Sequence, residues 1–386
     1  MEEKQKGMWP LVEKYYQDYG SRARELKKDG KKFMGYICSF VPVEIIQAAG
    51  FIPFRIRGNV HEPITKGNTQ LETIACPFMR SCFDLSFKGH YDFCEGVIIP
   101  HACDSMTRSY SVWKYSLGLP YSHFVNVPHT VNAASLEFFE AELNTFRKSL
   151  GRYAGKEISA AEITQAITAY NQLRKKVKAL YELRKTNPPL VSGTEMAKLL
   201  TVTAGLPVEE ANVLCDQALD ELPQRTAPSG QKLPRILIDG ACIDNIDLVQ
   251  LVEESGASVV ADDLCLGMRD HWPNTDVNQD PLKALSRRYL EKLNCPRTFR
   301  QSPGGSLPDD LQARFGDMGA HIKEFRVDGV ILYVYKYCDP FGFEVSARKA
   351  YLSSLGVPIL YLEDEYSVGT LGRLRTRIQA FLELMG

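Results

Sequence analysis

The chain has 386 residues, ten cysteines, and 46 Lys plus Arg against 47 Asp plus Glu, for a formal net charge of -1. Mixed charge of this kind excludes the basic stripe of a nucleic-acid-binding surface, and ~150 residues per domain gives two or three domains. The opening run MEEKQKGMWPLVEKYY lacks an apolar signal core and no run approaches ~18 apolar residues, so a cytoplasmic protein with no membrane partner and reduced cysteines is expected.

In chain order, residues 8 to about 28 predict one amphipathic helix. Lys32 to Cys38 reads as a strand, the run from Pro42 to the stop at Gly50 as a helix, and Phe51 to Ile56 as a second strand. A helix is predicted from Cys76 to about Lys88, a buried strand over Gly96-Val-Ile-Ile-Pro, a helix from Asp104 to Leu117 and a strand from Tyr121 to Val127. Strand signals then vanish, and helices are predicted near 134–152, 160–185, 194–203 and 207–220. Arg235-Ile-Leu-Ile-Asp-Gly opens a second run of strands, continued by Ser258 to Asp262, Gly329 to Lys336 and Pro358 to Leu362. The helices between them are expected near 247–255, 309–325, 341–354 and 369–385, with an irregular stretch over 264–306 that holds one helix near 283–293. Strands alternating with helices predict parallel sheets. The fold class is therefore α/β: two similar flavodoxin-like or Rossmann-like lobes joined by a helical segment. The expected divisions are an N-terminal helix (1–30), a first lobe (31–132), the helical segment (133–228) and a second lobe (229–386).

No GxGxxG and no GxxxxGK[ST] occurs, so neither a dinucleotide nor an ATP phosphate cradle is supported. No CxxC occurs either, which counts against zinc ribbons, thioredoxin chemistry and ferredoxin-type clusters. Any cluster must gather its ligands from distant points of the chain. Cys103-Asp104 and Cys338-Asp339 both stand where a buried strand ends and a helix begins, and Cys76 precedes Pro77 at a plausible first helical position. Helix starts favour thiolate over thiol, and open parallel sheets bind ligands beyond the carboxyl ends of their strands. Three such thiolates, drawn from both lobes, would hold three irons of a [4Fe–4S] cube in the cleft between the lobes and leave the fourth open. A buried cysteine also serves as a small hydrophobe, and spacing alone leaves both readings standing. Asp104 and Asp339 are expected to cap the helices that follow. Arg80, Arg108 and Lys336 face either coenzyme A phosphates or solvent, and the basic residues after Gly369 either phosphate, a partner or solvent.

The strings MGYICSFVPVEIIQAAGFIPFRI, ACPFMRSC, GVIIPHACDSMTRSYSVW, DGVILYVYKYCDPFGFE and VPILYLEDEYSVGTLGRLRTRIQAFLE resemble the 2-hydroxyacyl-CoA dehydratase / benzoyl-CoA reductase family over nearly the whole chain, and most of all the smaller, C-type subunits of ATP-dependent benzoyl-CoA reductases. The resemblance implies a cluster on three cysteines, matching Cys76, Cys103 and Cys338. It also implies a homologous larger subunit as partner, an acyl-CoA substrate, and electrons arriving singly from an ATP-hydrolysing iron–sulfur activator. His101 is the expected proton donor or cluster-polarising group, and Glu44 a possible second acid in the cleft. A sister branch carries a double-cubane [8Fe–9S] cluster on about six cysteines, so Cys38 and Cys82 are held as further candidates. Cys94, Cys215, Cys242, Cys265 and Cys295 read as structural, with Cys242 and Cys265 the exceptions to watch because they follow strands. The rival activities are dehydration of an (R)-2-hydroxyacyl-CoA, double-cubane electron transfer, and a metal-free binding module.

Overall fold

A computed structural model describes residues 7–225, 232–244, 246–300, 302 and 304–385. Two short helices, α1 (Trp9–Gln17) and α2 (Ser21–Lys28), stand where the sequence pattern predicts one. The helix breaks at Asp18–Gly20, and Tyr19 there donates its hydroxyl to the Arg55 carbonyl (2.8 Å) and packs on Phe54.

The first lobe follows as β1 (Phe33–Tyr36), α3 (Val43–Ala48), β2 (Ile52–Arg55), α4 (Pro77–Phe87), β3 (Cys94–Pro100), α5 (Asp104–Leu117) and β4 (Tyr121–Val125). Four helices come next: α6 (Ala133–Ala154), α7 (Ala160–Glu182), α8 (Gly193–Thr203) and α9 (Val208–Glu221). Capping boxes at Ser159 and Ser192 fix the starts of α7 and α8. The second lobe holds β5 (Arg235–Gly240), α10 (Asp247–Glu254), β6 (Ser258–Asp263), α11 (Met268–His271) and α12 (Pro281–Ser286). It continues with α13 (Leu307–Glu324), β7 (Gly329–Tyr335), α14 (Asp339–Gly342), α15 (Val345–Ser354), β8 (Ile359–Asp364) and α16 (Leu371–Glu383). Between α12 and α13, Arg287–Lys292 forms a π-helical stretch, so the single helix predicted near 283–293 has two windings.

Every strand pairing is parallel, and the orders are β2-β1-β3-β4 and β6-β5-β7-β8. The two sheets therefore repeat one topology, that of the first four strands of a flavodoxin-like sheet. β5 and β7 are buried along their whole length, as strands covered by helices on both faces must be. Gly96 brings β3 close to β4: a Cβ there would stand 2.3 Å from the Tyr121 carbonyl oxygen.

In each sheet the order reverses direction between the two central strands, β1 and β3 in one lobe and β5 and β7 in the other. In parallel sheets of this order the connections from these strands leave to opposite faces, which opens a crevice at their carboxyl ends. The lobes turn these crevices toward each other. The Gly58 N–H of the first lobe donates to Asp244 of the second (2.7 Å), the Ser39 hydroxyl to the Cys265 carbonyl (2.6 Å), and one apolar core runs through both lobes.

Candidate functional site

The cleft between the facing crevices gathers eight of the ten cysteines, none in a disulfide. Cys38 follows β1, Cys103 follows β3, Cys242 follows β5, Cys265 follows β6 and Cys338 follows β7. Cys76 and Cys82 come from the start and middle of α4, and Cys295 from the segment after the π-helical stretch. Cys103 and Cys338 are half-buried and the other six are buried.

Cys76, Cys103 and Cys338 occupy the N-cap positions of α4, α5 and α14. The cysteine itself takes the cap, so the expectation that Asp104 and Asp339 would cap is corrected. Asp104 lies one residue inside α5 and pairs with Arg108 (2.6 Å). Asp339 lies one residue inside α14 and adds its charge beside Cys76 and Cys103. The N–H groups of Phe78 and Met79 face the Cys76 sulfur, those of Ser105 and Met106 the Cys103 sulfur, and that of Phe341 the Cys338 sulfur, each favouring the thiolate. Burial outweighs them in the free thiols. Cys103 is pushed up to about 12 by burial and the charge of Cys76, and Cys338 well above its ordinary value by burial, Cys76 and Cys103. The three thiols thus sense one another across the cleft.

The remaining thiols form a second group on the same floor. Burial, Cys265 and Cys295 raise Cys38, while burial holds Cys242 at about 12 and Cys295 at about 11. Cys82 is buried beside Cys242 and Cys76. Two residues next to these sulfurs hold left-handed backbone, Cys38 itself (φ +76°) and Tyr337 before Cys338 (φ +62°). Such strain in non-glycine residues clusters at functional sites.

Buried guanidinium groups enclose the second group. Arg55, the last residue of β2, sends Nη2 to Cys242 Sγ (3.7 Å), while its Nη1 has no partner. Arg269 of α11 places Nη1 between the Gly240 carbonyl (3.0 Å) and Cys265 Sγ (3.5 Å). Arg297 binds the carbonyls of His101 (2.6 Å) and Val127 (2.8 Å) and stands beside Cys295, Cys38 and Cys103. Among the described residues no three His, Cys, Asp or Glu donors come close enough for a single metal ion. A cubane core takes its thiolates at wider spacing, and thiols beside three buried guanidinium groups, of which Arg269 alone has a carboxylate partner, suit an anionic sulfur-ligated group.

Neither acid–base candidate is brought to the sulfurs. The His101 ring packs on Phe124 and His129 at an open cavity of about 390 Å³, so only its carbonyl, through Arg297, connects to the thiols. Glu44 is fully buried in another network, with Oε1 on Arg174 Nη2 (2.5 Å) and Oε2 accepting from the Tyr289 hydroxyl (2.7 Å). Arg80 binds Asn68 Oδ1 (2.6 Å), and Lys336 pairs with Glu365 on the surface. Cys94 packs with Phe33, Phe54 and Phe93, and Cys215 lies in the core of α9, both away from the cleft.

Reading by residue type undervalued Cys295 and the three arginines. Cys295 lies in an irregular stretch with no strand end to mark it. Arg55 does end a strand, and a charge inside the run FIPFRI was the available signal. No helix among the described residues is long and apolar enough to cross a membrane.

Residues 38–385 match the family model described as 2-hydroxyglutaryl-CoA dehydratase, D-component. The chain is 26% identical over 382 residues to the C-type subunit of benzoyl-CoA reductase from Thauera aromatica, covering 96% of each chain. It is 23% identical over 363 residues to the (R)-phenyllactyl-CoA dehydratase beta subunit of Clostridium sporogenes, covering 94% of each. It is also 22% identical over 358 residues to the beta subunit of lactoyl-CoA dehydratase from Anaerotignum propionicum, covering 92% of each.

Proposed function

Since the chain belongs to the 2-hydroxyglutaryl-CoA dehydratase, D-component family, we propose that it is an iron–sulfur subunit of an ATP-dependent benzoyl-CoA reductase, acting in one-electron reduction of an aromatic acyl-CoA. The observation that carries this reading is the convergence of Cys76, Cys103 and Cys338 at three helix starts drawn from both lobes. These three residues would hold a [4Fe–4S] cluster, which when bound supplies a low-potential electron. The protein's own part is to present backbone N–H groups to the thiolates, to close the floor of the cleft with apolar side chains, and to leave the Cys103 and Cys338 side half-open for substrate. His101 would reach the site only through its carbonyl on Arg297, its ring lying at a separate open cavity. Glu44 holds the buried arginines beneath.

Ile74, Tyr337 and Phe343, exposed beside Cys76 and Cys338, fit a surface covered by a homologous larger subunit, and the relatives are themselves named as subunits. The low-potential electron would come from an ATP-hydrolysing iron–sulfur activator. A (R)-2-hydroxyacyl-CoA dehydratase subunit would use the same cysteines, and the relatives named for each activity match over 92–96% of the chain.

One observation favours a second reading. Cys38, Cys265 and Cys295 lie together beside the first trio, enough sulfur for a double-cubane [8Fe–9S] cluster and an electron-transfer role. Cys82, the other candidate by sequence, is flanked by Cys242 and Cys76.

Anaerobic iron and sulfide analysis with EPR separates the readings: about four irons per chain for the first, about eight for the second. The reconstituted complex should turn over benzoyl-CoA, and turnover of 2-hydroxyacyl-CoAs alone would assign the dehydratase. C103S and C338S should each lose the brown absorption while keeping the fold. Full iron in either variant removes that residue from the site.

A further inference from the structure

Arg55 and Arg297 are buried cations with no carboxylate in ion-pair reach among the described residues. They are 2% and 7% exposed. Arg55 spends one Nη on Cys242 Sγ (3.7 Å), lies over the Tyr36 ring, and leaves Nη1 unbonded. Arg297 spends its Nη groups on three main-chain carbonyls, of His101, Val127 and Pro128, and leaves Nε unbonded. Arg269, 4% exposed, differs in having an acid: its Nε binds Asp263 Oδ1 (2.9 Å) while its Nη1 touches Cys265 Sγ (3.5 Å). An arginine does not deprotonate inside a protein, and a buried unpaired guanidinium is strongly unfavourable. Carbonyl oxygens bind its N–H groups without cancelling its charge. Asp270 adds its charge to Arg55 from beyond ion-pair distance, so the nearest negative charge for Arg55 and Arg297 is that of the sulfurs they face, Cys242 on one side and Cys295, Cys38 and Cys103 on the other.

We propose that Arg55 and Arg297 are positioning residues for the anionic sulfur-ligated group of the cleft, and that their fixed charges set its reduction potential. This rests on the cluster reading above. Reduction adds one electron and no proton to a group that is already negative, so a fixed cation nearby stabilises the reduced form more than the oxidised one. Removing the cation moves the potential down. Arg269, compensated by Asp263, contributes less.

The test is a redox titration of the anaerobic, cluster-loaded complex followed by EPR, beside iron and sulfide content. R55M and R297M should each shift the reduced-to-oxidised ratio at fixed potential by about tenfold toward oxidised, which is ~59 mV for one electron. R269M should shift it by about threefold or less. Ratios within twofold of the parent in both R55M and R297M, at full iron content, would overturn the proposal. Absence of iron and sulfide from the parent protein would instead overturn the cluster reading on which it rests.

R297K covers the case in which the neutral variants do not fold. It keeps the positive charge, so its reduced-to-oxidised ratio at fixed potential should stay within about twofold of the parent. A shift in R297K as large as the tenfold expected of R297M would also overturn the proposal.

Discussion

Glu44 offers the sharpest test of where buried charge acts in this fold. Its carboxylate is fully buried and meets Arg174 at 2.5 Å and the Tyr289 hydroxyl at 2.7 Å, with Arg288 close by. Burial raises its pKa, but Arg174 and Arg288 pull harder and hold it below the ordinary carboxylate value. Arg174 is itself only 4% exposed, and Arg288 has two guanidinium nitrogens without partners. E44Q keeps the shape and one acceptor but strands Arg174, while Arg288 keeps its pair with Asp270 (3.4 Å). Breaking a buried pair from one side costs ~3–5 kcal/mol. At ~2.1 cal/mol/K per residue over 386 residues this lowers Tm by about 4–6 °C. Denaturant titration and calorimetry measure it on the intact protein, and E44Q/R174M should recover part of the loss. If E44Q costs less than about 1 kcal/mol, the network does not carry the charge stress that its geometry implies. If stability holds while iron is retained and turnover collapses, Glu44 belongs to the chemistry after all.

Further outcomes follow from the same geometry. His123 is held at about 4 by burial, with its Nε2 unbonded, against an ordinary 6.5. The unfolded chain therefore binds the proton first, and stability is lost as pH falls from 6.5 toward 4, by at most about 3 kcal/mol. H123F should remove that part of the acid limb in urea melts from pH 7 to 4, and an unchanged limb would contradict the assignment. G96A places a methyl 2.3 Å from the Tyr121 carbonyl oxygen, a main-chain atom that moves only if β3 and β4 separate. A loss of ~1–3 kcal/mol in denaturant midpoint is expected, and no loss would show that the strands can yield. C94A and C215A should keep the full iron content, since both side chains lie in cores away from the cleft. Iron loss from either folded variant would redraw the sulfur site.

Much of the architecture was legible because its determinants are local. Runs such as GVIIP, RILIDG and GVILYVY are apolar on both faces, so they read as strands of a covered parallel sheet, and β3, β5 and β7 lie there. The breaks were less legible. The turn at Asp18–Gly20, the π-helical stretch Arg287–Lys292 and the division between α14 and α15 answer to tertiary partners rather than to pattern. The register that puts Asp104 inside its helix and Cys103 at its cap is a one-residue matter, which periodicity does not resolve.

That cysteines stand at the carboxyl ends of strands follows from the chain alone, because a strand-to-helix junction is written in a dozen consecutive residues. So does the resemblance that selected Cys76, Cys103 and Cys338. Folding in three dimensions is what makes Cys242, Cys265 and Cys295 share their cleft, encloses them with Arg55, Arg269 and Arg297, and turns Glu44 and the His101 ring elsewhere. Proximity between residues two hundred positions apart depends on how two sheets face each other, and no local pattern encodes that distance. Charge buried at such a junction is stabilised or stranded by neighbours that the chain supplies from its other half.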